Sequence, residues 1–321
     1  MGMAQGNGER VIKQKDTVAV LIPCYNEAAT VAKVIRDFRK QLPEAVIYVY
    51  DNNSTDQTAQ IARDEGAIVK REYHQGKGSV VRSMFRDINA DIFILVDGDD
   101  TYPADSCHKF IECVKAGQAD MVVGDRLSNG SYKNENQRAF HSFGNNLVKS
   151  AINLLFRAQL NDIMTGYRCF NRRFVKTIPT LSNKFEIETE MTLHALDKRF
   201  LIKEIPIIYC DRPAGSVSKL NTVSDGFRVL RTIFMLFKDF KPLVFFSVTS
   251  LMLLITGILT GIPVLTDYIL YRYIYHVPLA ILSTGIVLLS ALSFICGIIL
   301  DTVVKQYRYL YELHLNNYLD T

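Results

Sequence analysis

Short apolar runs alternate with helix-period segments along the first two thirds of the chain. Residues 18–22 (VAVLI), 45–50 (AVIYVY), 67–70 (AIVK), 91–96 (DIFILV) and 120–124 (DMVVG) are brief and rich in branched side chains, with polar or glycine-containing stretches on either side. They predict buried strands. Helices are predicted after PCYNEAAT to about residue 41, with Val34, Ile35 and Phe38 on the buried face, after DNNSTDQT, after HQGKGS to about residue 89, and over 103–116. Strands alternating with such helices imply βαβ units and a parallel sheet covered on both faces, a Rossmann-like α/β fold. Beyond residue 125 the pattern changes. Residues 128–137 read as a polar loop, 139–156 and 186–198 as helices, 161–170 (NDIMTGYRCF) as a loop, and 202–209 as a strand.

The last third is of another kind. Residues 242–265 and 277–300 carry no charge, and about 20 apolar residues suffice to cross a hydrocarbon core. Two transmembrane helices are predicted. Residues 223–240 place Phe227, Leu230, Phe234, Phe237 and Phe240 on one face, with Arg228, Arg231, Lys238 and Lys241 elsewhere, the pattern of a helix lying in the membrane interface. The first span is preceded by those cations and the second is followed by Lys305 and Arg308, whereas the connection holds only Arg272. By the positive-inside rule both chain ends face the cytoplasm, with Tyr268, Tyr271, Tyr273 and Tyr275 in the opposite headgroup layer. The expected organisation is therefore a disordered tail (1–15), a cytoplasmic α/β domain (16–222), an interfacial helix (223–241), a membrane hairpin (242–300) and a tyrosine-rich cytoplasmic segment (301–321).

The net charge of +4 is modest and gathers near the apolar spans, which favours attraction to anionic lipid and argues against nucleic-acid binding. Six cysteines show no CxxC spacing and read as reduced packing residues. The polar start has no apolar core and is not a signal peptide. Gly257 and Gly261 form a GxxxG, a surface for homo-oligomer formation or for packing within one chain.

The chemistry concentrates at LVDGDD, residues 95–100, where an apolar run ends in Asp97, Asp99 and Asp100. A tight turn would use the same residue types. At the carboxyl edge of an α/β sheet, however, such carboxylates suit a hard divalent cation that completes its shell with phosphate oxygens. Lys77 stands between two glycines, which allow close backbone approach while the ammonium meets a phosphate. Asp51, ending the second strand, is an acceptor for a base N–H or the cap of a turn.

IPCYNE, DNNSTDQT, GKG and DGD, followed by DIMTGYRCF and RPAGSVSKL, occur in the order seen in family 2 glycosyltransferases. The chain resembles most the bacterial polyprenyl-phosphate glucosyltransferases with two transmembrane helices, and is similar to dolichyl-phosphate mannose synthases, over about residues 18–308. The resemblance implies a GT-A fold. It implies a nucleotide-sugar pocket of Pro23, Tyr25, Glu27, Asp51, Lys77, Asp97, Gly98 and Asp99, with Asp97 and Asp99 holding Mg²⁺ or Mn²⁺. Thr101 departs from the family pattern, where the position often supplies a further ligand. Asp162, Asp99 and Arg126 are the expected catalytic residues, and Arg126, Arg168, Arg212, Ser218 and Lys219 the candidates for the diphosphate and a lipid phosphate. Glu188 and Glu190, at i and i+2 of a helix, point in different directions and give no acid–base pair. One is taken as site wall or scaffold.

The implied reaction is inverting transfer of glucose from UDP-glucose to undecaprenyl phosphate or a similar polyprenyl phosphate, by an integral protein of the cell membrane. GDP-mannose and a UDP-amino sugar remain alternative donors. A lipid phosphate is already anionic and needs no general base. Two helices make no obvious conduit, so flipping of the product falls to another protein.

Overall fold

The computed structural model describes residues 16–128, 139–180, 187–210 and 234–319. The disordered tail expected for residues 1–15 lies outside them, as does most of the expected interfacial helix. The chain divides into two compact units, the first formed by residues up to 128 with 161–195 and 199–210, the second by 139–160, 196–198 and 234–319. Residues 139–160, expected within the catalytic domain, thus belong with the C-terminal helices.

The first unit is a seven-stranded sheet in the order β3-β2-β1-β4-β6-β5-β7. Its strands are β1 (Val18–Cys24), β2 (Val46–Asp51), β3 (Ile68–Arg71), β4 (Ile92–Leu95), β5 (Met121–Asp125), β6 (Arg168–Asn171) and β7 (Ile202–Pro206). The helices are α1 (Val31–Gln41), α2 (Thr58–Asp64), α3 (Lys77–Asp87), α4 (Cys107–Lys115, entered through a 3₁₀ turn at Ala104–Ser106), α6 (Arg172–Thr177) and α7 (Ile187–Asp197), with α5 (Ala139–Phe156) in the second unit. Strands β1 and β4 are buried along nearly their whole length, as their uninterrupted apolar runs require between two helical layers. Helix α1 buries Val31, Val34, Ile35 and Phe38, the i, i+3, i+4, i+7 stripe of an amphipathic helix.

The sheet is mixed, which corrects the expectation of an all-parallel one. Strand β6 runs antiparallel between β4 and β5, with Leu95 opposite Arg168. An antiparallel strand begins at the edge where its parallel neighbours end. Residues 162–167, read from sequence as one long loop with β6, are thereby delivered to the carboxyl edge of β1, β2 and β4. That edge contains the switch point: β1 has β2 on one side and β4 on the other, the place where open α/β sheets form their binding crevice.

In the second unit, residues 234–240 are helical (α8), followed by α9 (Pro242–Tyr271) and α10 (Val277–Leu319). Both long helices are apolar enough to cross a membrane, and few side chains in their apolar windows are buried. They clasp through Ser250 and Ser290, whose hydroxyls lie 3.0 Å apart and each donate to the other residue's carbonyl at 2.9 Å. A Cβ added at Gly257 would lie 2.8 Å from Val287, and one at Gly297 2.8 Å from Phe246. Gly257 is therefore spent on packing within the chain. At the link, residues 272–276, the Asp267 carboxylate lies 2.7 Å from the His276 ring and accepts from the Tyr275 backbone N–H. Helix α10 continues unbroken through the segment expected to be separate after residue 300. The ring of Phe156, at the end of α5, meets Phe240 edge-on at 5.5 Å.

Candidate active site

Two loops at the sheet edge are stapled together before any ligand is considered. In the turn after β1, the Asn26 backbone N–H donates to Ser54 Oγ, the Glu27 N–H to Thr58 Oγ1, and Asn26 Oδ1 accepts from the Thr55 N–H at 2.8 Å. Asn26 and Asn53 take φ of 54° and 62°, the left-handed region that asparagine tolerates better than most residues. Pro23 stands at the end of β1, half-buried, Glu27 is half-buried in the turn, and Tyr25 is 36% exposed.

Asp51 ends β2 almost wholly buried. Its Oδ2 accepts a long hydrogen bond, 3.3 Å, from the Ser54 N–H, while Oδ1 has no partner among the described residues. The next residue was not singled out from the sequence. Asn52 donates to the carbonyls of Glu72 and His74 at 3.0 and 2.9 Å and accepts from the Gly76 N–H at 2.6 Å. It thereby shapes the turn that delivers Lys77. Gly76 has φ 130°, which only glycine adopts readily.

Lys77, first residue of α3, reaches Asp97 Oδ1 at 2.5 Å and Glu188 Oε1 at 2.6 Å. Burial alone would lower its pKa; the two carboxylates outweigh it and hold the ammonium well above the usual lysine value. Of the three carboxylates after β4, Asp97 turns to Lys77 and Asp99 to Thr101. Asp100, at φ 60°, turns instead to Lys33 at 2.7 Å. Asp99 is buried and its Oδ1 accepts from Thr101 Oγ1 at 2.7 Å. Thr101 thus orients Asp99, the part left to it where the family pattern often has a further ligand. Gly98 backs onto Cys24, and its carbonyl accepts from Thr30 Oγ1 at 2.7 Å. A Cβ on Gly166 would run into the Asp97 carboxylate. A side chain at residue 166 would displace that carboxylate, a coupling invisible in sequence because residue 166 approaches residue 97 only through β6.

Asp162, buried, and Arg126, half-buried, come together as a pair. Arg126 Nε and Nη2 donate to Asp162 Oδ2 and Oδ1 at 2.7 and 2.9 Å, and the Arg126 backbone N–H adds a third bond. Tyr102 Oη accepts from Arg126 Nη1 and from the Gly166 N–H, tying this pair to the glycine that backs Asp97. Glu204 accepts from the N–H groups of Asn161 and Asp162. Burial raises the Glu204 pKa beyond what those bonds recover.

Arg168 must leave the phosphate-binding set. It is fully buried and donates to the Thr165 and Ile163 carbonyls and to Thr192 Oγ1. Burial brings its pKa down to about 10. It braces the 162–166 loop against α7. Arg212, Ser218 and Lys219 lie outside the described residues.

Among the described residues no three His, Cys, Asp or Glu side chains converge as a metal cage. The donor set is a pair of carboxylates, which fits a hard cation that arrives with phosphate oxygens better than a resident all-protein site.

The Glycosyl transferase family 2 model matches residues 19–178. The glycosyltransferase AglJ of Haloferax volcanii is 30% identical over 294 residues, 91% of this chain and 95% of its own. A dolichyl-phosphate hexose transferase of the same organism is 28% identical over 218 residues, 68% of this chain and 92% of its own. In fold, the chain is like glucosyl-3-phosphoglycerate synthase of Mycobacterium tuberculosis, solved with Mn²⁺, UDP-glucose and phosphoglyceric acid. The TM-score is 0.56 at 16% identity, over 70% of this chain and 79% of that one. Motifs in order, a GT-A-like mixed sheet and a relative matched over nearly the whole length agree: the chain is a glycosyltransferase and belongs to glycosyl transferase family 2.

Proposed function

We propose that the chain transfers glucose from UDP-glucose to a membrane-embedded polyprenyl phosphate such as undecaprenyl phosphate, with inversion, at the carboxyl edge of β1, β2 and β4. The observation that carries this reading is the union in one polypeptide of a nucleotide-sugar sheet edge with two helices apolar enough to span a bilayer. Its soluble donor and its lipid acceptor then meet on the cytoplasmic face. The name of the dolichyl-phosphate hexose transferase relative supports a lipid-phosphate acceptor.

The state of Asp162 supports it too. Both oxygens of Asp162 are engaged by the Arg126 guanidinium, so the carboxylate is occupied as a counter-ion. A phosphate acceptor asks for no general base, since it attacks as an anion. Asp162 therefore orients Arg126, and Arg126 offers its charge to the phosphates. Asp51 favours uridine. One buried oxygen without a partner suits the single N3–H of uracil, whereas the paired N–H groups of a guanine edge engage both oxygens of a carboxylate.

Asp97 and Asp99 would hold Mg²⁺ or Mn²⁺ with the diphosphate. When bound, the cation stabilises charge developing on the leaving phosphate. Lys77 serves the same phosphate from the GKG turn. Both chain ends face the cytoplasm, and product flipping belongs to another protein.

The test is product formation by the detergent-purified chain with undecaprenyl phosphate and UDP-glucose, UDP-N-acetylglucosamine or GDP-mannose in parallel, using Asp99→Ala as control. A β-linked lipid phosphate glucose from UDP-glucose alone, absent in the control, is expected. An α-linked product would refute inversion. Preference for GDP-mannose would refute the uridine assignment.

A further inference from the structure

Glu188, second residue of α7, is 4% exposed, and its carboxylate is used on one side only. Oε1 takes the Lys77 ammonium. Oε2 is sealed from solvent with no hydrogen-bond partner among the described residues. A buried charged oxygen without a donor is costly, and such atoms mark places where another molecule donates. The neighbouring guanidinium of Arg168 directs its hydrogen bonds to Thr165, Ile163, Thr192 and Met121. Lys77 meanwhile joins Glu188 to Asp97, bonding both carboxylates through a single nitrogen. Oε2 therefore lies within a sugar ring's reach of the carboxylates assigned to the diphosphate.

The geometry points to Glu188 Oε2 as the acceptor for a hydroxyl of the hexose being transferred, which makes Glu188 a specificity-determining residue for the donor sugar. This rests on the nucleotide-sugar reading above. An ionised carboxylate only accepts, so it pairs with a hydroxyl. A donor lacking that hydroxyl leaves Oε2 unpaired again, the arrangement by which sites reject deoxy analogues most strongly. Lys77 fixes the carboxylate's other oxygen and so sets which hydroxyl is read.

The experiment uses the full chain in detergent with polyprenyl phosphate and the best of the three donors above. Analogues deoxygenated at each hydroxyl in turn are compared in the parent, Glu188→Gln and Glu188→Asp, and binding of the free nucleoside diphosphate is measured alongside. The parent is expected to lose about 100-fold in kcat/KM at one deoxy position. In both variants that penalty should shrink below about 5-fold, while the penalties at the other positions stay within about 3-fold of the parent; nucleoside diphosphate binding reports separately on Lys77, which Glu188 holds. Should Glu188→Gln fail to fold, Glu188→Asp carries the comparison, since it keeps a charge for Lys77 and withdraws the oxygens by one methylene. A uniform loss with an unchanged analogue pattern overturns the proposal and leaves Glu188 as the counter-ion of Lys77. A parent that is active but penalises no position selectively also overturns it. A parent that binds no nucleoside diphosphate defeats the donor reading itself.

Discussion

Asp51 illustrates what a single side chain contributes here, because its burial and its idle Oδ1 make a definite demand on the ligand. Asp51→Ala should weaken UDP binding by about 10- to 100-fold, the worth of a hydrogen bond to a charged group, read by calorimetry. Gly166→Ala is expected to lower turnover by at least 10-fold, on the order of a misplaced ligand group, since the methyl would displace the Asp97 carboxylate; circular dichroism should show the sheet intact. A third prediction concerns acid. Burial favours protonation of Glu72, but bonds from the Ser83 hydroxyl and the His74 N–H and ring prevail and hold its pKa below the ordinary 4.5. A depressed carboxylate pKa gives stability that is complete above the unfolded value and lost as pH falls through the folded one. Melting temperature should therefore drop below about pH 4.5, and Glu72→Gln should flatten that limb. At this scale the motifs mark Asp51, Lys77, Asp97 and Asp99, and the fold brings Lys77 onto Asp97 at the sheet edge where β2 ends in Asp51. Arg168 was misread because charge signals solvent, and only the fold reveals that backbone carbonyls await it. Asn52 hid beside a better-known neighbour.

Elements reached by local periodicity were readable, and those that exist only through their partners were not. The strands β1, β2 and β4 follow from unbroken apolar runs. Strand β6 is four residues long and begins with an arginine, so nothing local marks it as buried. Its pairing with β4 and β5 decides. The paired helices α9 and α10 offer the corresponding prediction. Replacing Ser250 and Ser290 together by Ala removes a reciprocal clasp of the kind worth about 0.6–2 kcal/mol between membrane helices. Gly257→Leu should cost more by forcing Val287 away. Thermal unfolding in micelles ranks the two.

For the whole molecule, labelling can test the proposed orientation, which rests on the charge asymmetry around the apolar spans. Cys210 is exposed in the first unit and should react with an impermeant maleimide only after intact cells are opened, whereas Tyr273→Cys in the link should react from outside. Equal reaction from one side would defeat the two-span topology. The brevity of that link, residues 272–276, also governs how the chain is made. Helix α9 emerges from the ribosome with Ser250 and Gly257 facing a partner not yet synthesised, and five residues leave no slack for the two helices to enter the bilayer separately. On the proposed two-span reading, insertion is expected as one concerted event, and a chain cut after α9 would present the Ser250 hydroxyl to lipid, a substrate for quality-control proteolysis.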